Sequence, residues 1–231
     1  MINNALDIAV WRRELDARGR VQVRDYLQPD AADALHACLA DQVPWQIAHN
    51  STGTSVTTDR GEALDAEHER GLLTSAYARA RDEYQFAFDS YMLVRAVKEG
   101  WDPDLLVHHL LAFFNSPQHL EFARHLTGDG DIRSINAQAT RYRPGQFLKL
   151  HSDINSEEDW RYAYVLNLSR DWQADWGGLL HFVDDAGAVV ETFVPRWNSL
   201  SLFKVPTGHF VSLVAPWARA PRLAVTGWFR A

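Results

Sequence analysis

Tyr142-Arg143-Pro144-Gly145-Gln146-Phe147-Leu148-Lys149-Leu150-His151-Ser152-Asp153 reads as one strand, a Pro-Gly turn and a second strand that ends on two metal-binding side chains. On a regular strand residues i and i+2 point to the same side. His151 and Asp153 are therefore expected to share one ion while Ser152 faces away. A second imidazole follows at His209, and an arginine at Arg222. Two imidazoles and one carboxylate, with other positions left open, form the facial arrangement used by non-haem iron(II) centres that activate dioxygen. His-x-Asp alone is frequent by chance, and its weight here comes from its surroundings.

Working outward, the chain from Ser134 onward is a succession of short runs with period-two alternation, separated by Gly, Asp, Asn and Pro. Strands are predicted at 136–143, 147–151, 162–168, 179–183, 189–194, 200–204, 210–214 and 223–229. Asp184-Asp185-Ala186-Gly187 is a hairpin signal. Closely spaced short strands indicate a two-sheet jelly roll or barrel. The first 130 residues read differently. Helices are expected from Ala5 to Arg18 with Gly19 as the stop, from Pro29 to about Gln42 with Asp30 as N-cap, from Ala66 to about Arg81, from Asp104 to Asn115, and from Ser116-Pro117 to Gly128. Short strands are expected at 21–23 and 45–47, and Tyr84, Phe86 and Phe88 alternate as a strand would. The polar run 50–58 reads as a mobile loop. The sum is an α+β chain of one domain, 1–231, in which 1–130 supplies mainly helical support and a lid and 134–231 supplies the jelly-roll core.

Composition narrows the function. With 231 residues, 46% hydrophobic and 12% aromatic, the chain can bury a substantial core and is not disordered. The net charge of -7 and the lack of a Lys/Arg block speak against nucleic acid or an anionic membrane as partner. The single cysteine, Cys38, excludes an intrachain disulfide and Cys-rich zinc sites, which fits a reducing cytosol. The first residues lack a signal-peptide pattern, and the longest apolar window, 105–114, is too short to span a bilayer and is broken by His108-His109. A cytoplasmic location is expected.

The residues from Ile135 to the C-terminus carry a more specific pattern. Tyr142-Arg143-Pro144-Gly145 leads to Leu150-His151-Ser152-Asp153. Leu166-Asn167, Asp171-Trp172 and Trp176-Gly177-Gly178-Leu179-Leu180 come next. His209-Phe210-Val211 and Arg222-Leu223-Ala224-Val225-Thr226-Gly227-Trp228 complete it. In this the chain resembles the iron(II)- and 2-oxoglutarate-dependent oxygenases, particularly their prolyl-hydroxylase-like branch. The resemblance implies a double-stranded β-helix core with packed N-terminal helices. It also implies His151, Asp153 and His209 as iron ligands, with His181 the main rival to His209, and Arg222 as the arginine that binds the distal carboxylate of 2-oxoglutarate. A planar guanidinium suits that task because it grips carboxylate at two points and stays charged when buried. Tyr142 matches a tyrosine beside the cosubstrate. Period two then places Asn136, Gln138, Thr140 and Tyr142 on one face, so Gln138 and Thr140 are candidate substrate contacts, as is Trp228 at the pocket wall. One departure stands out. Where relatives of this branch carry a second carboxylate-binding tyrosine, this chain has Val165, with Tyr164 beside it and Tyr162 further back.

The function implied is a dioxygenase that hydroxylates a C–H bond with Fe(II), 2-oxoglutarate and O2, ascorbate being a further expected reductant. The favoured substrate is a prolyl residue in a protein or peptide, the alternative a free amino acid or other small molecule. Retention of Asp153 argues against halogenation, which needs that position vacated. A non-catalytic jelly-roll binding module and a cupin-type zinc hydrolase are the readings from other classes, and neither gives Arg222 and Tyr142 a purpose. The sequence leaves the oligomeric state open.

Overall fold

Helix boundaries follow the chemistry of the caps. In the computed structural model, which describes residues 1–51, 53–61, 65–155 and 158–231, helix α1 (Ile8–Arg18) starts where the Asp7 carboxylate accepts from the backbone N–H of Ala9 and Val10, and stops at Gly19 with φ +68°. Helix α6 (Pro117–Thr127) has Ser116 as N-cap, Pro117 in its first turn and Gly128 with φ +72° as its stop. Glycine adopts that left-handed conformation at little cost. Helix α2 (Pro29–Asp41) departs from expectation. Its cap position is Gln28, which makes no side-chain bond, and Asp30 lies inside the first turn, where a carboxylate favours the helix dipole instead of capping. Helices α3 (Ala66–Arg79) and α5 (Leu106–Phe114) lie within the expected spans. The short α4 (Leu93–Glu99) was not foreseen, because seven residues give too little periodicity to read.

Strands β1 (Arg20–Val23), β2 (Gln46–Ser51), β3 (Thr54–Thr57) and β4 (Phe86–Tyr91) come from the first half of the chain. The second half adds β5 (Ser134–Ile135), β6 (Gln138–Tyr142), β7 (Phe147–His151), β8 (Trp160–Asn167), β9 (Leu180–Val183), β10 (Val189–Phe193), β11 (Ser199–Lys204), β12 (His209–Val211) and β13 (Arg222–Arg230). All join one antiparallel, nearly closed system in the order β1-β11-β8-β13-β6-β4-β7-β12-β9-β10, with β2 on the other edge of β4, β3 on β2 and β5 on β13. This is the jelly-roll core, and it is not confined to the C-terminal segment, since β1 pairs with β11 and β4 joins β6 to β7. The 50–58 run is a correction. It is a hairpin, not a loop, in which Asn50 faces Ser55 and Ser51 faces Thr54. The β-branched Thr54, Val56 and Thr57 suit a strand better than their polarity indicated. Thr52 lies outside the described residues. The expected strand 136–143 starts late, at Gln138, because the Asn136 side-chain oxygen accepts from Trp228 N–H at 2.7 Å and separates it from β5. The 184–187 turn is as expected, with the Asp184 carboxylate accepting from Ala186 and Ala188 N–H.

Alternation along β8 explains its unbroken apolar character. Tyr162, Tyr164 and Leu166 pack outward into the helix-covered core with Leu15, Leu35, Leu39, Leu110 and Phe114, while Ala163 and Val165 face inward with Phe88, Phe182, Phe203 and Val211. A strand buried on both faces reads as a continuous hydrophobic run. On β4 the outward Asp89 is buried, and its carboxylate accepts from Arg141 Nε (2.6 Å), Arg143 Nε (2.7 Å) and Gln146 Nε2 (2.7 Å). That network ties β4 to β6 and to the turn that launches β7. Among the described residues no helix is long and apolar enough to cross a membrane.

Gly227 sits where β13 passes the Asn136 backbone. A Cβ there would lie 2.2 Å from the Asn136 carbonyl oxygen. We expect Gly227→Ala to lower stability by about 1–3 kcal/mol through overpacking, read as a shift of the urea midpoint at constant m-value; an unchanged midpoint would mean that the strand yields freely.

Candidate active site

The site is built from two cross-strand pairs. In the first, His209 of β12 lies directly opposite His151 of β7, and their rings are 4.1 Å apart. The pairing carries a β-bulge, since His209 opposes His151 but Val211 opposes Leu148. Leu148 and His151 both line the cavity, which plain alternation forbids for residues three apart. The extra residue in the bulge re-aims His151 inward. Asp153 is a second correction. It is not a strand neighbour of His151 but lies past the end of β7 with φ +54°, a left-handed conformation that aspartate tolerates better than most residues. From there its carboxylate reaches both imidazoles, Oδ1 at 3.2 Å from His151 Nε2 and Oδ2 at 3.5 Å from His209 Nε2. One ligand atom from each residue lies within 4.8 Å of the others.

Each ring is locked in the same way. Nδ1 of His151 bonds the Lys149 carbonyl at 2.9 Å, and Nδ1 of His209 bonds the Thr207 carbonyl at 2.8 Å. Nδ1 is therefore protonated in the neutral rings, and Nε2 presents its lone pair to the centre. Burial pushes the His209 pKa down to about 4, against the pull of Asp153, so the ring is neutral at physiological pH. For Asp153 burial raises the pKa, but the two imidazoles facing it act the other way and outweigh it, and the carboxyl stays below its ordinary value. Two imidazole nitrogens and one carboxylate oxygen fit a divalent iron. His181 does not take part. It pairs with Phe210, its ring stacks on that residue, and its Nδ1 bonds the Thr192 hydroxyl.

In the second pair, Arg222 at the start of β13 lies directly opposite Tyr142 of β6. Arg222 is 2% exposed, and its Nε and Nη1 have no hydrogen-bond partner. Nη2 reaches only Asn167 Oδ1 at 3.5 Å, and the guanidinium lies 5.3 Å from the Tyr142 ring. Burial lowers its pKa to about 10, with Tyr142 acting in the opposite sense. A buried cation with unused donors and no carboxylate partner among the described residues is costly unless an anion completes it. The donor set fits the carboxylate of a dicarboxylic acid. Tyr142 is buried, stacks on Phe88 at 5.0 Å, and has its phenol pKa raised by burial. Gly178 has φ +61°, and a Cβ there would lie 3.5 Å from the Arg222 Cδ and closer to Trp172 and Val214, so the glycine makes room for the side chain.

Both pairs open into one cavity of about 600 Å³, lined also by Tyr84, Phe86, Ser90, Met92, Gln138, Thr140 and Trp228, with Ser55 and Thr57 of the β2–β3 hairpin at its edge. Gln138 and Thr140 are already engaged, Gln138 Oε1 by the Ser90 hydroxyl and the Thr140 hydroxyl with Ala224 O, each at 3.4 Å. The valine departure resolves without a register shift. Val165 faces inward, whereas Tyr164 and Tyr162 point to the helices and donate to the carbonyls of Asn136 and Thr127. Asn167, two residues on, is the polar group beside Arg222. Sequence reasoning gave Asn167 no role, and it missed Trp160, whose indole stacks on Trp228 at 3.8 Å. Period two from the inward Val165 reaches Asn167; nothing in the sequence signals the Trp160–Trp228 stack.

A family model described as the 2OG-Fe(II) oxygenase superfamily matches residues 137–230. Over that segment the chain is similar to this superfamily. A prolyl 3-hydroxylase, OGFOD1, of Xenopus laevis is 35% identical over 104 residues, which cover 42% of this chain and 20% of that protein. The Mus musculus protein of the same name is 31% identical over 103 residues, 42% of this chain and 18% of its own length. The match thus spans about a fifth of these curated relatives. Among solved structures, a Pseudomonas putida prolyl-4-hydroxylase superposes with a TM-score of 0.59 at 19% identity, covering 96% of this chain and 98% of that one. A Trichoplax adhaerens prolyl hydroxylase in complex with a hypoxia inducible factor oxygen degradation domain peptide fragment gives 0.63 at 16% identity over 96% and 88%. At these identities the two structures speak for the fold.

The uncompensated Arg222 makes a two-sided expectation. Arg222→Met should raise the stability of the metal-free protein by about 1–3 kcal/mol, seen in chemical denaturation, and should abolish the thermal upshift that 2-oxoglutarate gives the wild type. Destabilisation by the same substitution would mean that the guanidinium is satisfied within the chain.

Proposed function

We propose that the chain is an iron(II)- and 2-oxoglutarate-dependent hydroxylase acting on a C–H bond of a prolyl residue in a protein or peptide. His151, Asp153 and His209 would hold the iron, and Arg222 with Tyr142 would hold the distal carboxylate of 2-oxoglutarate. Bound there, iron(II) and 2-oxoglutarate supply the reduction of dioxygen and the oxidising power for hydroxylation, with succinate and carbon dioxide as coproducts. The chain's own residues do the rest. The Lys149 and Thr207 carbonyls fix the imidazole orientation, Phe86, Phe88 and Leu148 keep the inner wall dry, and Tyr142 and Arg222 set the depth and direction of the cosubstrate. The observation that carries the reading is the placement of an inward-facing His/Asp/His cluster and an unpaired buried arginine in the same cavity. A binding module gains nothing from a buried, uncompensated cation.

Charge distinguishes the substrate classes. The charged side chains lining the cavity, among the described residues, are Asp153 in the cluster, Arg222, and Glu158 with Arg230. The last two face each other at 3.8 Å, and Arg230 Nε donates to the Glu158 carbonyl at 3.2 Å. A zwitterionic amino acid would find neither a free carboxylate for its ammonium nor a free cation for its carboxylate. A residue within a peptide needs neither. The named relatives are prolyl hydroxylases, and one neighbouring structure holds a peptide. Cys38 is unpaired and buried, in keeping with a reducing, cytoplasmic compartment.

Anaerobic protein mixed with iron(II) and 2-oxoglutarate should develop a weak visible charge-transfer band, and admission of air should release succinate. His151→Ala should lose the band while His181→Ala keeps it. Retention of the band in His151→Ala would remove that residue from the proposed ligand set, and zinc-dependent hydrolysis without any 2-oxoglutarate requirement would replace the whole reading.

A further inference from the structure

We propose that an exposed apolar ledge made by Met92, just before α4, and by Val94 and Val97 on it reads an apolar side chain of the substrate polypeptide near the residue that is hydroxylated. The inference rests on the peptide reading of the site. Met92 and Val94 both line the cavity, yet they are 41% and 45% exposed. Val97 is 53% exposed and lies three residues after Val94, hence on the same helix face. The adjoining side of α4 is anchored, with Leu93 and Ala96 fully buried in the helix-covered core. The ledge is therefore a fixed apolar surface continuous with the mouth of the cavity, on a helix whose intervening charges are partly self-satisfied by the Arg95–Glu99 pair.

The same cavity has a second rigid wall. Trp160 and Trp228 stack at 3.8 Å with 13° between their planes, and the Trp160 indole N–H donates to the Glu158 carboxylate at 2.8 Å. A single amino acid entering the cavity would leave Val97 in water. An extended segment would not. Met92 and Val97 are separated by about 7–8 Å along the helix axis, and an extended chain advances about 3.3 Å per residue. The ledge is thus long enough to lie along about two residues of an extended segment.

The test uses short synthetic peptides with one central proline in a Ser/Ala background, each carrying one Leu at a different distance from it. They are incubated with the full chain, iron(II), 2-oxoglutarate and air, and the gain of one oxygen is followed by mass spectrometry. Leu at one position of the scan should raise kcat/KM roughly tenfold over Ser, through KM, and no preferred position in the wild type overturns the ledge. Val94→Ser and Val97→Ser should collapse that Leu/Ser ratio, and Val97→Leu should restore it. A ratio equal in wild type and Val97→Ser overturns the ledge while leaving the hydroxylase reading intact. So does sedimentation showing that Val97→Ser abolishes self-association with the peptide ratio unchanged, since the ledge would then belong to a second copy. Oxygen gained by free L-proline and by no peptide overturns the peptide reading itself.

Discussion

The site depends on one register, the pairing of β12 with β7 that sets His209 opposite His151. Antiparallel partners on one face approach closely enough for their side chains to touch. The bulge in that pairing keeps two residues that are three apart, Leu148 and His151, on the inner face. A regular ladder would turn the imidazole toward the outer surface, where Leu150 now is, and leave Asp153 and His209 without a third donor. Because register slips by single residues invert a strand's faces, the network that pins β4, β6 and the 143–146 turn around Asp89 serves the chemistry although it lies outside the cavity. It fixes where β7 begins, and so where the bulge falls.

The other end of the cavity is held by different physics. Arg222 is buried beside an aromatic ring and an amide, with two of its nitrogens unused. The protein tolerates this because β13 is the most extensively paired strand, sharing edges with β8, β6 and β5. The stability of that strand offsets a cation that water no longer solvates. An anionic cosubstrate would complete the cation, so affinity for a dicarboxylate and the cost of the empty site are two sides of one arrangement. The missing tyrosine belongs to the same account. With Val165 on the inner face, Arg222 has Tyr142 and Asn167 as neighbours in place of a second phenol.

The division between what was legible and what was not follows the range of the interactions. Glycine stops, the Ser-Pro cap and the alternation of the C-terminal strands are local, so the end of α1, both ends of α6, β7 and the 184–187 turn were readable residue by residue, whereas α1 starts at Ile8, three residues later than expected. The 50–58 hairpin was not, because its polar sequence is held by pairing to β2 and through it to β4. Nor was the outward direction of Tyr162 and Tyr164, which is set by helices packed from the first half of the chain.

By itself the sequence determined which chemical groups are available: two imidazoles, a carboxylate, an arginine and a tyrosine, within a β-rich half preceded by helices. Only the tertiary structure decided how they converge. The period-two argument brought His151 and Asp153 together for the wrong reason, since a bulge and a left-handed aspartate do what strand alternation cannot. Bulges and positive φ values arise where long-range pairing and packing outweigh local preference, and no pattern of neighbouring residues encodes that balance. The tertiary fold likewise left Arg222 without a counter-charge, because only it brings together, or keeps apart, groups distant along the chain.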